Sequence, residues 1–426
     1  MDNNQSMSLS AKGLFIWFLC ACFFTYEFML RTVLGTFEHP LLRDLNLSLV
    51  TFSILSSTAY QTIYGVMQIP VGILLDKFGL KRMLTAAVAL CALAVIGFAS
   101  AYQFQSAFIF RVLMGLGSSF GFIALLVVVY DWLPNDKTGL FIGLSQFIGT
   151  LGPMFAAGPL NAVAENGALS WRLVFWGLGV IGIVLCFLVF LFVENNRDFA
   201  GSFQILKRPV PLSEMFKSLL KQRQVWLIGL YSSAIYFAIE YLSENSGKAY
   251  LILHGYSSQT ASNLITLSWL GYAIGCPLLG FISDKLERRK VVLTFAAILG
   301  IVALCIIIFA AQNFVLLCAG IVALGIGASG QSVAFATMAE QCETNYLAAG
   351  LGFNNACIVI MSSVNAPIIA ALLNYFKSNQ AALTIQNYQS AFLIMIFLTS
   401  LSFIFAAFLI KETFCKSTKA ATRLSY

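Results

Sequence analysis

The sequence predicts an all-α integral membrane protein of twelve transmembrane helices, arranged as two pseudo-symmetric bundles of six. Three observations predict it. The 426 residues are 59% hydrophobic and only 10% charged, whereas a soluble globule carries about 25% charged residues. Apolar runs of about 20 residues or more recur twelve times along the chain, and at about 1.5 Å per residue each is long enough to cross a hydrocarbon core of roughly 30 Å. The chain also repeats itself. Residues 72–82 read GILLDKFGLKR, residues 280–290 read GFISDKLERRK, and the leading glycine, the aspartate-lysine pair and the closing basic pair recur at a constant offset of 208.

Taken in order, a short segment 1–12 precedes runs at 13–37, 50–75, 83–104, 106–132, 139–163 and 171–194, which make an N-terminal bundle over 13–194. The first run is too long for a signal peptide and lacks a small-residue cleavage site, so it counts as helix one. It carries Tyr26, Glu27 and Arg31. Helix two places Tyr60, Gln61, Tyr64 and Gln68 on one face. Helix four carries Arg111, Gly115 and Gly117 and ends at Asp131 with Pro134 as its breaker. Helix five is rich in small residues at Gly143, Gly149, Gly152 and Gly158, which let helices approach closely. A charged segment, 195–223, with Pro209 and Pro211, links the bundles. The C-terminal bundle spans 224–411, from runs at 224–246, 257–283, 291–311, 314–338, 347–376 and 388–411, and a tail of 412–426 follows. Helix seven carries Tyr236, Glu240, Tyr241 and Glu244, and helix eight Trp269 and Tyr272, the last being the repeat partner of Tyr64. Helix ten carries Gln331 and ends near Glu340; helix eleven carries Asn354 and Asn355.

Orientation follows from the basic residues, which accumulate on the cytoplasmic side. With the N-terminus inside, 19 Lys and Arg fall in cytoplasmic segments and only Arg43, Arg172, Lys248 and Lys377 outside. Both termini are therefore expected in the cytoplasm, and the net charge of +7 needs no nucleic-acid partner. Ten cysteines with no CxxC spacing, most of them inside apolar runs, imply neither a disulfide framework nor a metal site. His39 and His254, the two histidines, fall in outside loops, so no metal or cofactor is expected. A membrane enzyme is disfavoured by the absence of HExxH and of any histidine inside a span.

The loop Gly72-x-x-x-Asp76-Lys77-x-Gly79-x-Lys81-Arg82 resembles the signature loop of the major facilitator superfamily, between its second and third helices. The copy at Gly280, Asp284, Lys285 and Arg289 departs from it where Glu287 replaces the second glycine and where the closing basic pair reads Arg289-Lys290. The resemblance covers essentially the whole chain. It implies two inverted-repeat bundles that rock about a midplane site. It also implies gate roles at the cytoplasmic helix ends for Gly72, Asp76, Lys77, Gly79, Arg82, Gly280, Asp284, Lys285 and Arg289, where each aspartate would face a helix start in the opposite half, favoured by the helix dipole. Asp131 and Glu340 are placed to pair with these basic residues. Arg111-x-x-x-Gly115-x-Gly117 is similar to the family's second motif, whose arginine faces the central cavity. Helix five is similar to the antiporter motif, but Ala156-Ala157 stand where that motif has two glycines. Tyr26-Glu27-x-x-x-Arg31 with residues 67–76, MQIPVGILLD, resembles the branch of lysosomal dipeptide transporters and of phagosomal nutrient transporters of intracellular bacteria. That narrower likeness implies uptake of dipeptides, amino acids or nucleosides, linked to protons.

An ionisable residue inside a span costs about 2.5–3.5 kcal/mol on insertion scales, so Glu27, Arg31, Arg111 and Glu240 call for a reason. Glu27 and Arg31 stand four apart on one helical face, a spacing that favours an ion pair. A carboxylate stripped of water beside a cavity can also take up and release protons. Arg31 and Arg111 can bind an anionic substrate group bidentately. Tyr60, Tyr64, Tyr236, Trp269, Gln331 and Asn355 supply the hydrogen bonds and flat apolar area of a ligand pocket. The resulting expectation is a monomeric secondary transporter of a small polar solute, coupled to protons, in a bacterial inner membrane or, in a eukaryote, a lysosomal or vacuolar one. Efflux of a siderophore or drug by antiport is the alternative, and a non-transporting sensor is a further one.

Overall fold

The computed structural model describes residues 9–134, 138–165, 169–195, 220–342, 347–377 and 382–415. Most of the expected linker, 196–219, most of the tail, 416–426, the first eight residues, and the side chain of Asp76 lie outside the described residues. Every element of regular structure among them is helical. Eleven helices are long and apolar enough to cross a membrane. A further helical passage over 49–78, about 45 Å long at 1.5 Å per residue, carries the polar face of helix two and completes the twelve.

The N-terminal six comprise α1 (Ala11–Thr36), then a short α2 (Glu38–Asp44), then α3 (Leu49–Ser53) running through a π-turn at Ile54–Thr58 into α4 (Ala59–Phe78). They continue with α5 (Leu80–Ala99), α6 (Phe104–Ser118), α7 (Phe120–Trp132), α8 (Thr138–Ala157), α9 (Pro159–Glu165) and α10 (Trp171–Phe192). The C-terminal six comprise α11 (Arg223–Glu244), a short α12 (Gly247–Leu253), α13 (Ser258–Leu286), α14 (Arg289–Phe309), α15 (Phe314–Ala328), α16 (Gly330–Gln341), α17 (Leu347–Lys377) and α18 (Ile385–Ile404). Side-chain oxygens start several of them. Ser10 accepts the Gly13 amide at the head of α1, and Ser48 with Thr51, and Thr384 with Asn387, form capping boxes.

The duplication is visible in the geometry. Helices four and ten are each interrupted at a serine, Ser119 between α6 and α7 and Ser329 between α15 and α16. Each signature loop turns through a residue with positive φ, Gly79 at 84° and Glu287 at 51°. The two turns differ in ψ: Gly79, at 152°, takes a conformation that essentially only glycine adopts, whereas Glu287, at 34°, is in the αL region, which a residue with a Cβ reaches at modest cost. The residue after the sixth helix of each half caps the start of the third: Asn195 accepts the Lys81 amide at 3.0 Å, and the Glu412 carboxylate accepts the Arg289 and Lys290 amides at 2.8 and 3.0 Å.

Large apolar side chains on the outside, such as Phe187, Phe190 and Val180 of α10 and Phe295 of α14, are more than half exposed, as residues that face lipid are. The glycines of α8 pack that helix on α1. A Cβ at Gly149 would lie 2.2 Å from the Phe24 ring, and one at Gly152 would lie 2.3 Å from the Thr25 carbonyl.

The two halves meet along α1 with α11, α4 with α17, and α8 with α13. At Gly35 the approach leaves no room for a side chain: a Cβ would come within 2.1 Å of the Ser243 carbonyl oxygen. The side-chain bonds that cross between the halves run from the middle of the bundle to the end bearing α2 and α12. They include Thr58 to the Ser363 carbonyl, Ser56 to Asn245, Asn161 to Gln259, and Lys248 to Asn161. Toward the end bearing the signature loops, the last such bond described is Asn355 to Gln68. The structure is therefore closed at the α2/α12 face.

Candidate functional site

At the centre, α1, α4, α7, α8, α11, α13, α16 and α17 enclose a cavity of about 30 Å³ lined by Glu27, Arg31, Tyr64, Tyr236, Gln331 and Asn355 among others. That is room for one or two waters, so the site is contracted around its own side chains. Tyr272, the repeat partner of Tyr64, lines it too and donates to Gln331 at 2.6 Å. Phe24, Phe122 and Phe335 supply an aromatic wall.

Arg31 is the hub. Its Nη2 lies 2.7 Å from Glu240 Oε1 and 3.1 Å from the Tyr236 hydroxyl, and its Nε lies 3.4 Å from Glu244 Oε1. The guanidinium also sits over the Phe28 ring at 4.4 Å, a cation–π contact. All three charged partners are buried, Arg31 at 7% exposure and both glutamates at 0%. The pairing therefore joins α1 of one half to α11 of the other, and not Arg31 to Glu27 along one helix as their spacing suggests. Glu27, 1% exposed, instead accepts from Tyr60 at 3.2 Å and from Tyr64 at 3.5 Å. Among the described residues no ion pair reaches it.

Arg111 sits behind the cavity wall. Its nitrogens donate to the backbone carbonyls of Leu30 at 2.8 Å, Ser56 at 2.6 Å, Leu55 at 3.1 Å and Arg31 at 3.4 Å, and its guanidinium covers the Tyr60 ring at 4.6 Å. Two of those carbonyls belong to the π-turn, whose altered hydrogen bonding leaves acceptors to satisfy. Fully buried and committed to backbone, this guanidinium ties α1, the π-turn and α6 together. Trp269 is a supporting residue: it packs edge-on against Phe28 and Tyr236 and donates to Ser243 at 2.9 Å.

Glu244 was not singled out by sequence reasoning, yet it sits at the heart of the site. Beyond Arg31, its Oε2 accepts from Gln61 at 2.7 Å and Ser57 at 3.3 Å. The available signal was the pair Glu240-x-x-x-Glu244, two like charges on one helical face that need a cation from elsewhere.

One layer farther out, α2 and α12 border a vestibule of about 330 Å³ lined by Glu38, His39, Arg43, Lys248 and Trp171 among others. Glu38 receives a hydrogen bond from Ser246 of the other half at 3.4 Å. Burial pushes its carboxyl from the ordinary 4.5 up to about 7, against the Ser246 hydroxyl and Lys248, which pull it down. Burial, and next the charge of Lys248, lower the His39 imidazole.

The signature-loop residues lie at the other end, about a helix-half away from the cavity. Arg289 binds Asp284 at 2.5 Å and Glu340 at 2.8 Å, all within the C-terminal half. Gly72 and Gly280 have nothing within 4 Å of a built Cβ. Lys77 and Lys285 are exposed, and Asp131 closes α7 on the same face.

Comparison with known proteins agrees with this architecture. The profile of the Major Facilitator Superfamily matches residues 17–257 and 232–423. The 3-(3-hydroxy-phenyl)propionate transporter of Escherichia coli K12 is 26% identical over 303 residues, 70% of this chain and 72% of the relative. The hexuronate transporter of Bacillus subtilis is 26% identical over 253 residues, 58% of each. Among solved structures, an inward-facing bacterial homologue of the human lysosomal transporter Spinster superposes with a TM-score of 0.74 at 15% identity, covering 94% of this chain and 97% of that one. The nucleoside transporter NupG gives 0.73 at 15% identity, covering 93% and 100%.

Proposed function

This chain belongs to the Major Facilitator Superfamily and is a secondary transporter, and on that premise we propose that it takes up a small polar solute together with a proton by alternating access. The solute is an amino acid, a dipeptide or a nucleoside, bound in the central cavity between Glu27, Arg31, Tyr64, Tyr236, Gln331 and Asn355. The observation that carries the reading is Arg31: it is shared between the cavity and two carboxylates of the opposite half, so a ligand that engages it acts on the contact between the halves. A solute carboxylate suits that guanidinium, and relatives named for a phenylpropionate and a hexuronate carry acids. Glu27, held by two tyrosine hydroxyls, serves as the proton-coupling carboxylate. The distribution of Lys and Arg supports cytoplasmic termini.

The test has two stages. A thermal-shift screen of the purified chain against amino acids, dipeptides, nucleosides and organic acids identifies the solute, because a ligand that binds only the folded state raises apparent stability. Glu27→Gln should then abolish accumulation driven by a pH gradient while sparing exchange of labelled for unlabelled solute without one. If accumulation survives in Glu27→Gln, the proton is carried elsewhere. A second reading, efflux, draws on the aromatic wall and on a quinolone resistance transporter of Acinetobacter baumannii that is 24% identical over 263 residues, 57% of this chain and 60% of the relative; the direction of flux in oriented vesicles separates the two.

A further inference from the structure

We propose that Glu240 and Glu244 form a second proton-binding site, which is empty while Arg31 occupies it and fills when the α2/α12 face opens. This rests on the alternating-access reading above. Its basis is where the partners come from. Arg31, Gln61 and Ser57, which reach the two carboxylates at 2.7 to 3.4 Å, all belong to the N-terminal half, and the carboxylates to the C-terminal half. The ion pair is a charge contact and not a set of aligned hydrogen bonds: no donor is aligned on either oxygen of Glu240 or on Oε1 of Glu244. Parting the halves at this face therefore strips both carboxylates of cation and donors in one movement.

The surroundings offer no substitute. From α1, Glu27 adds a third acid; from α6, Arg111 is committed to backbone carbonyls. From α4 and α13 come the neutral Tyr60, Tyr64 and Trp269, and from α17 the hydroxyl of Ser362. The next charges outward are Lys248 on α12, which is bonded to Asn161, and Glu38 and His39 on α2. Two carboxylates one helical turn apart repel, and a proton taken from water entering at the open face, forming an O–H bond on one of them, removes that repulsion. On closure the guanidinium returns to the same oxygens, the O–H bond breaks, and the proton passes to water in the central cavity, on the side of the signature loops. Each cycle thus exchanges one proton for one arginine and moves the proton between faces.

The experiment reads conformation directly and needs no solute. Spin labels are introduced as unnatural amino acids at Tyr102 and Val315, 76% and 78% exposed on opposite halves, at the α2/α12 end, and the open-to-closed ratio is measured by distance from pH 8 to pH 5.5. The work is done in Glu38→Gln, which silences the outer carboxyl. That protein should open as pH falls, by up to tenfold per pH unit for one linked proton. Adding Glu244→Gln, which keeps the bonds to Gln61 and Ser57, should take the one-proton share of the pair out of that slope and leave only what His39 and Glu27 contribute, Glu240→Gln should do the same, and Glu244→Asp should retain the full slope. An unchanged slope in both Gln variants overturns the proton site while leaving alternating access intact; a single distance under all conditions overturns both.

Discussion

Glu38 gives the most quantitative consequence of the closed α2/α12 face. In the closed state its carboxyl is held at about 7, against 4.5 in water, so opening the face returns it to its ordinary acidity. A difference of about 2.5 pH units corresponds to about 3 kcal/mol. Because the closed state holds the proton more tightly, the sign is fixed. Below pH 4.5 both states are protonated and Glu38 favours neither. As pH rises from 4.5 to 7 the open state ionises first and the closed state loses ground at up to about 1.4 kcal/mol per unit; above 7 the full penalty applies. Between pH 8 and pH 5.5 the contribution of Glu38 therefore favours closure by about 2 kcal/mol, roughly 30-fold in the closed-to-open ratio.

Glu38→Gln deletes this contribution and keeps a neutral acceptor for Ser246. The labels at Tyr102 and Val315 serve again, now comparing wild type with Glu38→Gln at each pH. The carboxylate pair and His39 push toward opening in acid, but they are common to both proteins and cancel in the comparison. The ratio of the two closed-to-open constants should move by roughly 30-fold between pH 8 and pH 5.5, with Glu38→Gln the more closed at pH 8. If the two proteins respond to pH identically, Glu38 does not titrate with closure and the pH response of the face belongs to other groups.

Three further outcomes follow from close contacts. Gly35→Ala should hold the α2/α12 face open, since its Cβ would meet the Ser243 carbonyl oxygen at 2.1 Å; the same label pair should report the long distance at every pH. Gly79→Ala should lower stability by about 1–3 kcal/mol, because φ of 84° with ψ of 152° is a conformation that essentially only glycine adopts, and the Asn195 amide lies 2.8 Å from the built Cβ; thermal unfolding in detergent measures it. Arg111→Lys should cost about 2–5 kcal/mol of stability, because an ammonium cannot serve four carbonyls in that geometry and buried acceptors are left short, while solute affinity in the protein that remains folded stays within a few-fold. Collapse of affinity with unchanged stability would move Arg111 from the scaffold to the pocket.

These contacts also explain which parts of the molecule were legible in the sequence. Spans, duplication and signature loops are written locally, in hydropathy and in charges next to glycines, and a linear reading recovers them. Whether Glu27 pairs with Arg31 is decided by where α11 packs, and spacing along α1 alone does not carry that information. The acceptors of Arg111 are backbone carbonyls freed by a π-turn in residues 54–58, a segment whose sequence, ILSST, marks no break. Asp284 bonds Arg289 five residues on, although the family likeness pointed it toward the other half.

The deeper regularity is that the halves agree where they build and differ where they bind. The interruptions at Ser119 and Ser329, a positive φ in the signature loop at Gly79 and Glu287, and the caps by Asn195 and Glu412 recur in both copies. The charged positions do not. At the offset of 208, Glu27 and Arg31 face Ile235 and Ile239, Glu240 and Glu244 face Thr32 and Thr36, and Arg111 faces Ala319. In a strictly duplicated site the contact would occur twice about the pseudo-two-fold axis, with an arginine at position 239 meeting glutamates at positions 32 and 36, and each half would carry both charges. Here the cation stands on one half and the carboxylate pair on the other, so closing the face joins opposite charges and opening it separates them. The asymmetry is what allows a proton or a solute carboxylate to compete for one side of the contact without binding the other.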